Sequence, residues 1–167
     1  MASLLRAEPG RGHGSITFHP SYTCVFLYRL SFHFYQRGHR LWGRFFWHLN
    51  MILTGADISP VSDLGPGLVI VNPVGVTLDG HAGKNLTVMP LSGLGSELGR
   101  LEDTGAGPAL PRLGDDVYLA PHSGVLGPVR IGDRVRLAAG VIVTSELPDD
   151  AVVEPFATRF LVRNDLL

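Results

Sequence analysis

An aliphatic residue returns at every sixth position along two stretches of this chain: Ile58, Leu64, Ile70, Val76, Ala82, Val88 and Leu94, then Leu113, Leu119, Val125, Ile131, Leu137 and Val143. A period of six fits neither the alternation of a two-faced strand nor the 3.6-residue turn of a helix. It suits a coiled parallel β-helix in which each short face sends one aliphatic side chain inward. The residue after the aliphatic is often small (Gly65, Gly83, Gly114, Ala120, Gly132, Ala138), and the one four after it is small or aliphatic (Ser62, Leu68, Val74, Leu86, Ser92, Val117, Ser123, Val129, Val135, Val141). Small residues suit sharp corners, where a backbone has little room for a branch at Cβ. The rival, a β-rich sandwich with fortuitous spacing, explains two in-register blocks less well. The expected fold is mainly β, a parallel β-helix of six-residue repeats with a short N-terminal helical region.

Composition supplies the core and removes several function classes. Of 167 residues, 45% are hydrophobic and 17% charged, and the net charge is −1 with Lys84 the only lysine. No basic run or stripe offers an electrostatic footprint for nucleic acid. The single Cys24 lies in an apolar stretch and reads as a core thiol in a reducing compartment. The N-terminal stretch lacks a continuous apolar signal core, and no 18-residue uncharged apolar run occurs elsewhere. These features predict a soluble, cytoplasmic protein with neither nucleic-acid nor membrane partners. No metal-ligand spacing, P-loop or dinucleotide fingerprint occurs, so no metal is expected.

The chain divides into a loose tail over residues 1–18, helices over 19–55, and the repeat region over 56–167 with a loop at 95–112. Tyr22, Val25, Phe26, Arg29, Leu30, His33 and Phe34 form a helical stripe that ends at Gly38. A second helix, from about His39 to Leu53, carries Leu41, Phe45, Phe46, Leu49, Ile52 and Leu53 on one side. Arg29 and the histidines interrupt both segments, which favours packing on the β-helix end or a neighbouring subunit over a membrane surface. Three hexads make one triangular coil, with faces A, B and C beginning at Ile58, Leu64 and Ile70. Coils ~4.8 Å apart then number roughly four. The glycine- and proline-rich segment between Gly95 and Arg112 leaves the coil from face A, so that Leu113 resumes on face B and Leu119 on face C.

An ordered series of segments resembles the serine acetyltransferase family of hexapeptide-repeat acyltransferases. It comprises Tyr28 and Arg29, Thr54 to Pro60, Leu64 to Leu68, Asn72 to Val76, Val125 to Gly132, and Arg136 to Val143. The resemblance covers about Tyr22 to Val152. It implies a left-handed β-helix, a homotrimer that can pair as a dimer of trimers through the aromatic helices, and transfer of an acetyl or other small acyl group from a coenzyme A or carrier thioester to a small amino-acid-like acceptor. In that family a histidine acts as general base on the acceptor hydroxyl and an aspartate orients it. Asp57 matches the aspartate. The base position is Asn72, a second active-site histidine falls on Leu110, and a third on Ser59.

Asn72 admits three readings: a pseudo-enzyme, a natural active-site change, or an engineered substitution. The natural change has a chemical rationale, because an acceptor nitrogen is nucleophilic without the base that an alcohol requires. His81 is a candidate replacement base near Asn72. His122 lies two coils beyond Asn72, ~10 Å away, and suits a cofactor channel or a turn. By resemblance the cofactor arm runs along Gly93 to Gly95, Ala120 to Ser123 and Ala138 to Gly140. These include Gly93, Gly95, Ala120, His122, Ser123, Ala138 and Ala139, with Arg136 or Arg134 available to phosphate. The alternatives are a non-catalytic binding or scaffold protein and a sugar O-acetyltransferase.

Overall fold

Among the described residues fourteen very short strands carry the repeat, visiting three faces in rotation as far as β13. The structure is a computed structural model that describes residues 19–97 and 99–155. The tail expected over residues 1–18 lies outside them. After helices α1 (Pro20–Gln36) and α2 (Arg40–Thr54) come β1 (Asp57–Ile58), β2 (Asp63–Leu64), β3 (Val69–Ile70), β4 (Thr77–Leu78), β5 (His81–Ala82), β6 (Thr87–Val88) and β7 (Gly93–Gly95). Then follow β8 (Arg112–Leu113), β9 (Tyr118–Leu119), β10 (Gly124–Leu126), β11 (Arg130–Ile131), β12 (Arg136–Leu137), β13 (Ile142–Val143) and β14 (Val152–Val153).

The strands form three parallel sheets. Face A holds β1, β4, β7, β10 and β13; face B holds β2, β5, β8 and β11; face C holds β3, β6, β9, β12 and β14. In each strand the second residue turns inward, and Ile58, Leu64, Ile70, Ala82, Val88, Leu94, Leu113, Leu119, Val125, Ile131, Leu137 and Val143 line one continuous core. The residue two before each of them, such as Leu68, Leu86, Val117, Val129 or Val135, fills the corner beneath it. Burial of this double row at ~25 cal/mol per Å² holds the prism together, and the backbone groups pair from coil to coil.

Two features of the beat differ from expectation. Val76 is buried but occupies a corner, and Leu78 is the inward residue of face A in the second coil. Two extra residues in the corner at 71–76 push the register forward, and a two-residue corner at Asp79–Gly80 brings it back before Ala82. Gly80 permits that short corner: its φ is +153°, and a Cβ there would lie 2.7 Å from the carbonyl oxygen of Pro111. The coil count is also higher than four. Past Val143, Leu147 bridges to Ile131 and β14 pairs with β12, which completes a fifth, irregular coil. Its spacing abandons the six-residue period, so the beat does not reveal it.

The corners carry a feature that small residues alone do not explain. Left-handed φ values recur in two columns: Gly67, Asn85, Asp116, Arg134 and Asp150 at the B-to-C corners, and Gly75, Leu91, His122 and Gly140 at the C-to-A corners. A non-glycine residue in this region costs about 1–2 kcal/mol, and the stacked coils hold it there. Beside the first column Asp115, Asp133 and Asp149 each accept a backbone N–H from the coil before, from Lys84, Asp115 and Asp133, at 2.8, 2.8 and 2.9 Å.

The helices bury mainly other residues than the expected stripes, of which Val25 packs against the core. The buried residues of α1 are Cys24, Leu27, Tyr28 and Ser31, and those of α2 are Gly43, Asn50 and Thr54. Tyr22, Phe26, Leu41, Trp42, Phe45, Ile52 and Leu53 are exposed. Small and polar groups win the interface because they let the helices approach closely and bond across. Ser31 Oγ donates to the carbonyl of Gly43 at 2.8 Å, and Asn50 Nδ2 to that of Cys24 at 3.2 Å. A Cβ on Gly43 would touch Tyr35 Cβ at 3.0 Å. Tyr28 fastens the pair to the prism, its hydroxyl donating to the carbonyl of Ser62 (2.7 Å) and accepting from the N–H of Leu64 (3.1 Å). Arg29 donates to the carbonyls of Leu64 and Gly65.

Candidate active site

The C-to-A corners stack into one strip along the prism, and most of the candidate residues lie on it. Asp57 opens β1 on face A. Its carboxylate accepts the indole N–H of Trp47 from α2 at 2.8 Å, which fixes the side chain half-buried. The corner carrying Asn72 sits directly above, since Gly75 donates its N–H to the carbonyl of Gly55 at 3.0 Å and Asp57 donates to that of Val76 at 2.8 Å. Asn72 occupies the widened corner and is exposed, and its Oδ1 accepts the N–H of Val74 at 3.1 Å. Ser21 from α1 donates to the carbonyl of Val71 at 2.9 Å. Helix, corner and strand thus meet around Asp57 and Asn72. Asn72 offers an amide rather than a base, and one side of that amide is occupied in a turn.

Further along the same strip come the residues assigned to the cofactor arm. Gly93 and Gly95 lie on face A. Ala120, His122 and Ser123 form the corner between the third and fourth coils, and Ala138 and Ala139 the next one. His122 is exposed with φ +60°, two coils from Asn72. Ser123 is buried, its hydroxyl turned back to the carbonyl of Ala120 at 2.7 Å. The glycines and alanines leave this strip low, so an extended ligand can approach the backbone there.

The two candidate phosphate ligands differ. Arg136 points outward on face C with its guanidinium 5.6 Å from the ring centre of Tyr118. Arg134 is committed to Asp150 through contacts of 2.6 and 2.9 Å, which raise the guanidinium pKa and lower that of the carboxyl. His81 does not join Asp57 and Asn72 within one chain. It lies on face B, with Nδ1 3.8 Å from Asp63, because the short corner at Gly80 carries the chain away from face A. Cys24 is buried on the inner side of α1, and burial pushes its thiol pKa up. Among the described residues no three His, Cys, Asp or Glu side chains converge as a metal set, and no helix is long and apolar enough to cross a membrane.

The excursion between β7 and β8 has internal order. Asp103 Oδ1 accepts the N–H groups of Gly105 and Gly107 at 2.7 and 3.0 Å, and Asp103 bridges to Pro108. Arg100 pairs with Glu97 and Glu102 and donates to the carbonyl of Thr144 at 3.3 Å, tying the loop to the fifth coil.

Comparison with known proteins agrees with this geometry. Residues 111–145 match the family described as bacterial transferase hexapeptide (six repeats). A serine acetyltransferase of Mycobacterium tuberculosis is 34% identical over 140 residues, 81% of this chain and 58% of that protein. The chain spans about three fifths of the length of the first curated relatives it matches. Among solved structures, serine acetyltransferase of Neisseria gonorrhoeae in complex with serine superposes with a TM-score of 0.76 at 23% identity, covering 91% of this chain and 62% of that one. A serine acetyltransferase in complex with CoA gives a TM-score of 0.70 at 15% identity over 83% of this chain and 55% of that one. Repeat, register and sequence converge: the chain is a hexapeptide-repeat protein and a relative of the serine acetyltransferases.

Proposed function

We propose that this protein is an acyltransferase that moves an acetyl or other small acyl group from a coenzyme A thioester to a small amino-acid-like acceptor. In this reading the prism is left-handed, three copies associate laterally, and the enzyme works in the cytoplasm. The observation that carries it is the 34% identity to a serine acetyltransferase across 81% of the chain. Supporting it are the low strip from Gly93 to Ala139, which suits an extended thioester arm, and the stacking of the corner that carries Asn72 on the strand that Asp57 opens. A relative solved with CoA and another with serine make these the natural donor and acceptor classes to test.

The residue at position 72 selects among acceptors. General-base help to a hydroxyl is worth ~10²–10⁴-fold, and an asparagine amide does not supply it. A neutral nitrogen attacks the thioester carbonyl carbon, a C–N bond forms as the C–S bond breaks, and the proton lost from nitrogen balances the departing thiolate. Asn72 then positions the acceptor and Asp57 attracts its cationic or hydrogen-bonding end. The second reading, a non-catalytic binding protein, is favoured by the use of the Asn72 oxygen in a turn.

Coenzyme A release measured over a panel of acceptors separates the two. Amines or hydrazines are expected to exceed serine with the native chain, and Asn72→His to raise turnover of hydroxyl acceptors specifically. A protein that binds no coenzyme A by calorimetry, and in which Asn72→His transfers nothing to any acceptor, would leave the binding reading in place of the enzymatic one.

A further inference from the structure

The three outer faces of the prism differ in chemistry. Face A presents Asp57, Thr77, Gly93, Gly124 and Ile142, and face C presents Val69, Thr87, Tyr118, Arg136 and Val152, with one charged residue each, whereas face B presents Asp63, His81, Arg112 and Arg130 in direct register. Arg112 and Arg130 are therefore neighbours on adjacent strands, one ladder step of ~4.8 Å apart. Like charges directly opposite one another destabilise a sheet, and both side chains are exposed. Ion pairs among the described residues engage Arg100 and Arg134 and leave these two arginines without an acid. Asp63 leans toward His81, and Asp115 Oδ1 accepts the N–H of Lys84 at 2.8 Å.

The two guanidinium groups overlook a concavity of about 300 Å³ that His81, Asp115, Gly83 and Gly114 also line. The glycines give it a floor without side chains. The loop lies beside Arg112, where a Cβ on Gly105 would lie 2.7 Å from Nη1. The loop thus rests against one guanidinium and leaves the space between the two open.

We propose that this face B concavity is an anion site for a phosphate group, held between the forks of Arg112 and Arg130 with His81 at its edge. A tetrahedral dianion presents oxygen pairs in two directions, which matches two planar forks displaced along a ladder better than one planar carboxylate does. Its charge also offsets the like-charge pair. The site lies on a different face from Asp57 and Asn72, and only its assignment to the coenzyme A phosphate rests on the acyl-transfer reading. The phosphate belongs either to the nucleotide end of coenzyme A or to a separate phosphorylated small molecule.

Titration with inorganic phosphate, followed by calorimetry and thermal shift at constant ionic strength in chloride, tests the proposal. Saturable binding is expected in the native chain, weakened at least tenfold in Arg112→Gln and in Arg130→Gln. Arg130→Lys, which keeps the charge and removes the fork, is expected to weaken it as well. Both glutamine variants are expected to melt at or above the native temperature in phosphate-free buffer, since removing either charge relieves the repulsion; this also shows that they fold. Binding that does not saturate, or that is the same in the native chain and both glutamine variants, overturns the site. Displacement of bound phosphate by coenzyme A but not by dephospho-coenzyme A assigns it to the 3′-phosphate of the donor. Displacement by neither assigns it to a separate phosphorylated ligand.

Discussion

Single residues in this fold are held by their place on the ladder. Ile131 is 3% exposed at the centre of the fourth coil, and Ile131→Ala is expected to lower stability by about 2–5 kcal/mol through lost burial and an unfilled cavity; a denaturant titration with an unchanged midpoint would contradict this. Asp150 shows how charge acts at a corner. Its φ of +61° is tolerated by Asn, so Asp150→Asn removes the charge without altering the turn. The hydrogen bond from Arg134 depresses the Asp150 carboxyl pKa in the folded state. A depressed carboxyl pKa stabilises the fold above the unfolded-state value and ceases to do so as pH falls through the folded one. The native chain is therefore expected to melt above Asp150→Asn at pH 7, with the gap closing on acidification below the ordinary carboxylate range. These corner roles are poorly legible in sequence: Asn85, Leu91, Asp116, His122, Arg134 and Asp150 share a backbone conformation but no residue type. The inward aliphatics are legible because each answers to one demand, filling the prism.

At the scale of elements, the rotation of faces follows from the beat, and so does the return of Leu113 to face B after the loop. Where the chain spends two residues at one corner and recovers them at Gly80, a strict period assigns Val76 to a strand that Leu78 occupies. The same slip hides the relation of His81 to Asn72, which looks close when counted in residues and lies round a corner in space. The signal for the arginine ladder was present, since His81, Arg112 and Arg130 each precede an inward face B aliphatic. The helices misled for another reason: an apolar stripe marks the buried face only where a partner covers it, and here the close contact runs along Ser31, Gly43 and Asn50. Gly43→Val is expected to cost about 1–3 kcal/mol by forcing the helices apart. Thermal unfolding monitored by tryptophan fluorescence in a Trp42→Phe background, where the emission comes from Trp47, whose indole bonds Asp57, reports both the loss and any disturbance passed to the candidate site.

On the scale of the whole molecule, a five-coil prism has little interior for its surface, and lateral association of flat faces extends the core. Face B is the worst candidate for such packing, because it would bury two adjacent guanidinium groups without acids, which is costly, whereas face A carries the single charge of Asp57 and face C that of Arg136. Faces A and C remain. Face C exposes Val69 and Val152, 41% and 63% accessible in the single chain, on the outer side of strands whose inner residues hold the core. Introducing charge there leaves the inward row untouched. Val69→Arg with Val152→Arg is expected to convert a trimer, read by light scattering as three times the chain mass, into a monomer with unchanged circular dichroism. A native chain that is monomeric at all concentrations would exclude the trimer, and with it any site shared between subunits. If the double variant separates the subunits and also abolishes coenzyme A release while Asp57 and Asn72 remain in place, the strip is completed by a neighbouring copy. If the separated chain retains turnover, one prism carries the whole site, and the low strip from Gly93 to Ala139 is sufficient for the donor.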